Sequence, residues 1–415
     1  MSEERILIIA VKKPELQEER FQSSLEELIS LGKTAGGYVV KVITQKRNRI
    51  HPATYIGEGK LQEIKHEVEE ADIDLIISND ELSPGQLRNL NHYLDVRIID
   101  RSQLILDIFA QRANTKEGKL QVELAQLEYM LPRLGGQGIE MSRLGAGIGT
   151  RGPGETKLET DRRHIRNRIV DIKRRLKMVV RQREQYRKRR KTNDVFQLAI
   201  VGYTNAGKST IFNRLTNSET LEENLLFATL DPLTRKIQLP SGFQALITDT
   251  VGFLQDLPTS LIAAFRSTLE EVREADFLLH VVDASQENQL QQQKTVMKLL
   301  EELEAHSIPM LTVYNKKDLI EDDFFPMQHP NLLISAYEQE DLRKLLVAIE
   351  SLLAKQWKNY TVQIDSDDGS MIARLERDTI ITDKTFDEDK NKYILHGYMK
   401  RDHSLSYLIN QNKNK

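Results

Sequence analysis

The fold of this chain is decided by the stretch Gly202-Tyr203-Thr204-Asn205-Ala206-Gly207-Lys208-Ser209-Thr210, which matches the pattern G-x-x-x-x-G-K-[ST] at every fixed position. Residues 196–201 before it form an apolar run typical of a buried strand, and residues 211–215 after it have the composition of a helix start. This is the context in which the pattern forms a phosphate-binding loop. Its backbone N–H groups are predicted to bind nucleotide phosphates, with Lys208 on the β- and γ-phosphates and Ser209 on Mg²⁺.

Two switch segments are predicted downstream of this loop. The first lies in an irregular connection and consists of Phe227, Ala228, Thr229, Leu230 and Asp231. Its threonine is available as a second Mg²⁺ ligand. The second ends an apolar strand with the pattern Asp-x-x-Gly, in the residues Asp249, Thr250, Val251 and Gly252. The aspartate can hold Mg²⁺ through water, and the glycine N–H can contact the γ-phosphate.

A base-recognition site is predicted at the ends of the two following strands. The pattern Asn-Lys-x-Asp occupies Asn315, Lys316, Lys317 and Asp318, and the next strand ends in Ser335, Ala336 and Tyr337. The Asp318 carboxylate can accept from both N1–H and N2–H₂ of guanine, a pair of donors that adenine does not present. A backbone N–H near Ala336 can meet the guanine O6. Because all these motifs occur in order at strand ends, a GTP-binding domain is predicted.

Composition limits the class of protein. The 415 residues carry a net charge of −3 and include no cysteine, which excludes disulfides and thiolate–metal sites. No run of eighteen apolar residues occurs and the N-terminus does not resemble a signal peptide, so we expect a cytoplasmic protein without membrane insertion. The histidines at 280, 306 and 329 lack a second ligand at metal spacing, and zinc is not expected.

The basic charge is concentrated in one segment. Residues 151–191 contain 17 Lys and Arg against 5 Asp and Glu. Heptad-like seams predict an antiparallel helical hairpin, with the seam residues Leu120, Leu124, Leu127, Leu131, Leu158, Ile165, Ile169, Ile172, Leu176 and Val179. A Gly/Arg-rich tip joins the two helices. The near absence of aromatic residues favours backbone contacts with structured RNA, although a solvated helix face is the alternative. The candidate RNA-binding residues are Arg143, Arg151, Arg162, Arg163, Arg174 and Arg175.

The remaining parts of the chain are two smaller domains. Strand and helix signals alternate over residues 5–112, including a helix predicted to end at Gly32. Within them, residues 57–60 are either a phosphate-loop lookalike or a turn into a helix. We therefore predict an α/β multidomain protein with four parts: a parallel α/β domain over 1–113, an antiparallel helical hairpin over 114–193, a P-loop GTPase domain over 194–358 and a small C-terminal α+β domain over 359–415.

The ordered motifs resemble those of the translation-factor-related GTPases. The stretch GTRGPGETKLETDRR at 149–163, with YIGEGK at 55–60 and LFATLD at 226–231, is similar to the bacterial HflX family over essentially the whole chain. The resemblance implies a ribosome-associated GTPase that binds the rRNA and proteins of the large ribosomal subunit and splits stalled or stress-arrested ribosomes. A monomer is expected. It also implies that the Gly/Arg tip reaches toward the peptidyl-transferase centre.

Two positions bear on hydrolysis. Phe253 stands where many GTPases have the glutamine that orients the attacking water, so slow hydrolysis is expected until the ribosome reorganises the switch segments. Asn205 in the phosphate loop allows the hypothesis that K⁺ binds there and supplies the charge of an arginine finger.

Three other functions are compatible with parts of the sequence. They are a GTPase that assists tRNA or rRNA modification, an ATP-dependent RNA remodeller that uses residues 57–60, and an RNA-binding scaffold with a vestigial nucleotide site. The modification GTPase would need a catalytic cysteine that is missing here, and the scaffold does not explain the intact Lys208, Ser209, Asp249 and Asp318.

Overall fold

A computed structural model describes residues 3–134, 157–192, 194–217, 226–227, 229, 232–255, 271–320 and 324–406. The chain divides into two compact units. The first contains Met1–Arg181, Glu223–Asp231 and Leu254–Ser267, and the second contains Gln182–Glu222, Pro232–Phe253 and Thr268–Lys415. The four-domain boundaries inferred from the sequence stay predictions.

Helices and strands alternate through most of both units. The helices are α1 (Glu18–Thr34), α2 (Glu58–Glu70), α3 (Pro84–Leu94), α4 (Arg101–Arg112), α5 (Lys116–Arg133), α6 (Lys157–Thr192), α7 (Lys208–Thr216), α8 (Gln289–Glu302), α9 (Gln339–Gln356) and α10 (Gly369–Asp378). The strands are β1 (Glu4–Lys12), β2 (Gly37–Lys46), β3 (Leu75–Ser78), β4 (Arg97–Asp100), β5 (Phe196–Gly202), β6 (Leu233–Gln238), β7 (Gln244–Asp249), β8 (Phe277–Asp283), β9 (Met310–Asn315), β10 (Asn331–Leu333), β11 (Lys358–Asp365), β12 (Ile380–Asp387) and β13 (Lys392–Met399).

The N-terminal sheet belongs to the first unit and has the strand order β2-β1-β3-β4. All its neighbouring strands are parallel. Its central strands β1 and β3 are buried along most of their length, as expected for apolar runs in a parallel sheet that is covered on both faces. This confirms the predicted parallel α/β domain.

Helix α1 differs from the prediction at its C-terminal end. It was expected to end at Gly32, but it continues to Thr34, and the chain turns at Gly36 with a φ of 88°. A Cβ on Gly32 would lie 3.4 Å from side-chain carbons of both Ile6 and Val39. The glycine at 32 therefore serves close packing of the helix on the sheet rather than helix termination.

The two predicted helices of the hairpin are α5 and α6. Thr115 caps α5 by accepting from the Gly118 N–H at 2.9 Å. The helices meet through apolar residues of the predicted seams: Leu120, Leu124, Leu127, Leu131, Ile165, Ile169, Ile172 and Leu176. Arg168 adds two hydrogen bonds to Glu123, at 2.6 and 2.8 Å. The side chain of Leu158 and the Gly/Arg tip at 135–156 lie outside the described residues.

The second unit contains the nucleotide-binding sheet, with the strand order β10-β9-β8-β5-β7-β6. Only β6 is antiparallel to its neighbour in this sheet. The carboxyl ends of β5, β8 and β9 therefore meet at one edge, which is where ligands bind in open α/β sheets.

A three-stranded antiparallel sheet, in the order β11-β13-β12, forms the C-terminal part of the second unit. Helix α10 packs against it through Ile372 and Leu375, which agrees with the predicted α+β domain. Among the residues that the structure describes, no helix combines the length and apolar composition that a bilayer crossing requires.

Candidate nucleotide-binding site

The phosphate loop connects β5 to α7, as predicted. Gly202 has a φ of 153°, and a Cβ there would lie 2.2 Å from the Val281 carbonyl oxygen. Gly207 has a φ of 93°, and a Cβ there would lie 2.1 Å from Asn315 Nδ2. Both glycines of the motif are thus favoured by their backbone conformation, and also by the close approach of the β8 backbone to Gly202 and of the Asn315 side-chain amide to Gly207.

Lys208 is buried at the start of α7, and its Nζ donates to the Tyr203 carbonyl at 2.7 Å. Burial lowers the pKa of Lys208 to about 8, and the nearby Asp249 carboxylate opposes this shift. Ser209 Oγ donates to Asp249 Oδ2 at 2.8 Å. In this arrangement the Lys208 ammonium is bound to the Tyr203 carbonyl rather than to a phosphate. The Ser209 hydroxyl is bound to Asp249 rather than to a cation.

The residues present fit Mg²⁺. Ser209 and the buried Asp249 bring a hydroxyl and a carboxylate together at one strand end, and Mg²⁺ prefers such oxygen ligands. When bound, the ion would screen the phosphate charge. Thr229 is half-buried and belongs to the first unit. Its predicted pairing with Ser209 as an Mg²⁺ ligand stays a prediction.

The second switch segment lies directly against the phosphate loop. A Cβ on Gly252 would lie 2.6 Å from Thr204 Cγ2 and 3.1 Å from Lys208 Nζ. Thr250 is anchored below it, because its hydroxyl donates to the Ile200 carbonyl at 2.6 Å. Val251 is buried beside it. Gly252 therefore lies next to the Lys208 ammonium, which would neutralise charge on the terminal phosphate of a bound nucleotide.

Of the first switch segment, the structure describes Phe227 and Thr229, whereas Ala228, Leu230 and Asp231 lie outside the described residues. Phe227 is buried in the first unit, with its ring centroid 4.3 Å from that of Phe109 in an edge-on arrangement. The neighbouring Leu226 N–H donates to the Thr34 hydroxyl at 3.2 Å. The segment before Thr229 is thus part of the packing of the first unit.

The guanine pattern is joined to the phosphate loop through Asn315. Its Nδ2 donates to the Ala206 carbonyl at 3.0 Å, and its Oδ1 accepts from the Ala336 N–H at 2.9 Å. The exposed Asp318 accepts from Ser335 Oγ at 2.5 Å. The two predicted base-binding segments are therefore brought together at one edge of the sheet.

The lysines of the pattern are held by carboxylates that sequence reasoning missed. Lys316 has a φ of 64° and pairs with Asp283 at 2.7 Å, at the end of β8. Lys317 lies 3.3 Å from Asp341, and this pairing raises the pKa of Lys317. Asp341 also accepts from the Ser335 N–H at 3.0 Å. In the sequence, the position of Asp283 at the end of a predicted strand was the only local indication that it belongs to the site.

The remaining loop residues are partly solvent-accessible. Asn205 is exposed and has a φ of 61°, whereas Thr210 is half-buried in the first turn of α7. Tyr337 has 62% of its surface exposed, and the Arg214 guanidinium lies 5.6 Å from its ring centroid. The exposed ring of Tyr337 is therefore accessible to a ligand, and its predicted part in guanine binding stays a prediction.

The candidate RNA-binding residues differ in their surroundings. Arg162 is half-buried and Arg163 is exposed on α6. Arg174 and Arg175 both pair with Asp171, at 3.0 and 2.9 Å. Part of the positive charge on this helix is therefore compensated within the helix itself. Arg143 and Arg151 lie outside the described residues.

The segment 57–60, which resembles a phosphate-binding loop in sequence, already has its first residue in contact with side chains of the same chain. The Gly57 N–H donates to Gln45 Oε1 at 2.9 Å, and a Cβ on Gly57 would lie 2.2 Å from Arg47 Nη1. Helix α2 begins immediately afterwards. These contacts support the alternative interpretation, a turn into a helix.

Comparison with known proteins agrees with this geometry. Three family models match consecutive parts of the chain: GTP-binding GTPase N-terminal at 22–110, GTP-binding GTPase Middle Region at 112–190 and 50S ribosome-binding GTPase at 197–316. The protein called GTPase HflX from Alkalihalophilus pseudofirmus is 56% identical over 92% of this chain and 90% of its own length. The chain belongs to the HflX family of GTPases. The HflX proteins of Caldanaerobacter subterraneus and Escherichia coli are 52% and 43% identical over 85% and 90% of this chain, and over 81% and 89% of their own lengths.

A solved structure of a GTP-binding protein from Sulfolobus solfataricus with GDP is also similar. It is 24% identical, and the alignment covers 84% of this chain and 98% of that chain, with a TM-score of 0.45. This similarity is too low to inform the site.

Membership in the HflX family makes this protein a GTP-hydrolysing enzyme. Within its site, His280 lies on β8 and is buried. Burial and, to a smaller extent, the positive charge of Lys208 lower the pKa of His280 to about 4. The imidazole is therefore neutral at physiological pH, in keeping with a structural residue. The described residues contain no group of three potential metal-ligating side chains of the His, Cys, Asp or Glu type.

Proposed function

We propose that this GTPase is a cytoplasmic, monomeric factor that binds the large ribosomal subunit through rRNA and ribosomal proteins and splits stalled or stress-arrested ribosomes. Nucleotide state controls the binding. The observation that carries the proposal is the closeness of Gly252 to the phosphate loop, where an added Cβ would lie 2.6 Å from Thr204 Cγ2 and 3.1 Å from Lys208 Nζ, because a terminal phosphate needs this space. The family description 50S ribosome-binding GTPase for residues 197–316 supports the choice of partner.

GTP and Mg²⁺ would exchange the contacts inside the site. The Lys208 ammonium would leave the Tyr203 carbonyl for the phosphates, and Ser209 would leave Asp249 for Mg²⁺. Gly252 would have to withdraw from the phosphate loop to admit the γ-phosphate. A switch segment that moves with the terminal phosphate can couple nucleotide state to the binding of a partner.

Hydrolysis is expected to be slow in the free protein. Phe253 is buried and its side chain cannot orient a water molecule, so a group supplied by the ribosome would complete the site. K⁺ at Asn205 is a second source of positive charge. Hydrolysis should then slow when Na⁺ replaces K⁺ at constant ionic strength. Asn205→Gly, which retains the left-handed backbone without the amide, should lose this dependence.

Sedimentation with purified large subunits tests the proposal. We expect co-sedimentation with a non-hydrolysable GTP analogue, weaker binding with GDP, and loss of the nucleotide effect in Lys208→Ala. Lys355→Ala, which removes an exposed lysine on α9, is the matched control. Addition of the protein with GTP to intact ribosomes should then increase the free subunits in a sucrose gradient.

No co-sedimentation in any nucleotide state would overturn the ribosomal proposal. A GTPase that assists RNA modification would then explain the basic helix α6 better. The hypothesis of an ATP-dependent remodeller rested only on residues 57–60. The contacts of Gln45 and Arg47 with Gly57 argue against nucleotide binding there.

A further inference from the structure

A second cluster of positive charge lies at the carboxyl ends of β1 and β2, far in sequence from the arginines of α6. These parallel strands run in register to their last residues, where Lys12 is the partner of Lys46. The chain continues with Lys13 after β1 and with Arg47 and Arg49 after β2. We call the surface formed by Lys12, Lys13, Lys46, Arg47 and Arg49 the basic corner.

The basic corner has a defined local structure. The Arg47 N–H donates to the Lys12 carbonyl at 3.0 Å, which extends the pairing of the strands by one residue. The Arg47 guanidinium lies against Gly57, where a Cβ would come within 2.2 Å of Nη1, and its Nε donates to the Arg49 carbonyl at 3.3 Å. Arg47 is thus half-buried and holds Arg49 beside it, whereas Lys13, Lys46 and Arg49 are exposed.

Four of these five cations lack a carboxylate partner among the described residues. Lys12 pairs with Glu18. Within the part of the chain that the structure describes, no carboxylate lies within 4 Å of the side-chain nitrogens of Lys13, Lys46, Arg47 or Arg49. The basic residues of α6 differ in this respect, because several of them pair with carboxylates. These carboxylates are Glu123 and Glu128 on α5 and Asp171 on α6 itself. Like charges at neighbouring strand ends destabilise the free protein, so an external anion would relieve their repulsion.

We infer that the basic corner binds the phosphate backbone of RNA, as a contact surface separate from helix α6. This inference rests on the proposed function, which supplies RNA as the partner. Neighbouring strands are about 4.8 Å apart, so cations at two adjacent strand ends can face successive phosphates. No large apolar side chain between residues 44 and 57 is among the exposed ones, which disfavours a lipid surface and base stacking. The contact would therefore be electrostatic and independent of base sequence.

The test compares salt dependence in two double variants of the full chain. Lys46→Ala/Arg49→Ala removes two exposed cations of the basic corner. Lys65→Ala/Arg88→Ala removes an exposed lysine and an exposed arginine from α2 and α3 and leaves the net charge equal to that of the first variant. The measured quantity is the slope of log K against log salt concentration for binding to RNA extracted from large subunits.

We expect the slope of the basic-corner variant to fall in magnitude by about 1.5, since each lost phosphate contact contributes about 0.7 to 0.9. The control variant should keep the wild-type slope. Lys46→Arg/Arg49→Lys, which retains both charges, should restore it. GTP turnover without ribosomes should be the same in all variants, which establishes that the nucleotide site is intact.

An unchanged slope in Lys46→Ala/Arg49→Ala would overturn the inference, and wild-type binding to large subunits in the GTP state would still leave the proposed function standing. An unchanged slope on extracted RNA together with weaker binding to whole subunits would also overturn it, in favour of a ribosomal protein. Failure of the wild type to bind either RNA or subunits would overturn both proposals.

Discussion

The backbone of Phe253 is hydrogen-bonded to that of Thr204 in the phosphate loop: the Phe253 carbonyl accepts from the Thr204 N–H at 2.9 Å. The Phe253 N–H also donates to the Gly202 carbonyl at 3.1 Å. The residue that replaces the usual glutamine is thereby held on the phosphate loop by its main chain, with its ring buried. This arrangement places Gly252 beside Lys208.

Gly252→Ala should uncouple the second switch segment from the phosphate loop. Its Cβ would lie 2.9 Å from Thr204 Cα, and a backbone atom cannot yield as a flexible side chain does. Such overpacking costs about 1–3 kcal/mol, and a loss of this size in the transition state lowers GTP turnover roughly 5- to 150-fold. Gly59→Ala is the control, since nothing lies within 4 Å of the added carbon. Wild-type turnover and unaltered subunit binding in Gly252→Ala would contradict the assigned role.

The depressed pKa of Lys208 predicts that GTP binding depends on pH. Burial holds its pKa at about 8, against an ordinary value of 10.5, so the free site binds fewer protons than the unfolded chain between these values. Stability of the nucleotide-free protein should therefore rise as pH increases from about 8 to 10.5. Phosphates favour the charged ammonium, so GTP binding should take up a proton and weaken by up to about tenfold per pH unit above 8.

Isothermal titration calorimetry in buffers of different ionisation enthalpy measures this proton uptake. Lys208→Arg, whose guanidinium stays charged throughout the range, should show no uptake. Equal GTP affinity at pH 7.5 and 9.5 in the wild type would contradict the prediction.

Asp318→Asn should change base selectivity. Its carboxylate can accept from both N1–H and N2–H₂ of guanine, and hydrogen bonds to charged groups contribute about 1.5–3 kcal/mol. We expect GTP affinity to fall roughly 10- to 150-fold, with a relative gain for xanthosine triphosphate, whose 2-oxo group can accept from an amide N–H. Competition against a fluorescent GTP analogue measures both constants. Asp383→Asn, an exposed position on β12, should leave them unchanged.

Asp171→Asn should strengthen RNA binding. Asp171 pairs with Arg174 and Arg175 on α6, and loss of its charge would release both guanidinium groups. Exposed pairs contribute about 0.2–1 kcal/mol, so binding should tighten by up to about fivefold, with a steeper salt dependence. Asp161→Asn removes one exposed acid from the same helix and controls for net charge. The same gain in both variants would show that total charge, not the release of these arginines, controls binding.

Local patterns predicted much of the fold and of the nucleotide site. The phosphate loop at 202–210, the strand before it and helix α7 follow from glycine spacing and apolar runs within about twenty residues. The hairpin seams followed in the same way, because heptad spacing specifies one face of each helix. The end of α1 was predicted wrongly, because Gly32 is a packing residue against β1 and β2, and its neighbours in sequence do not reveal them.

The sequence by itself predicted the GTPase chemistry of this protein, because the phosphate, switch and guanine motifs are short segments whose residue types indicate their roles. The tertiary structure alone decided how those segments are held. It joined Asn315 to Ala206, Lys317 to Asp341 and, in the first unit, the buried Arg101 to Glu27. It also brought the ends of β1 and β2 together to form the basic corner. These pairings join positions far apart in the chain, and the propensities and spacings read within one segment contain no information about partners outside it.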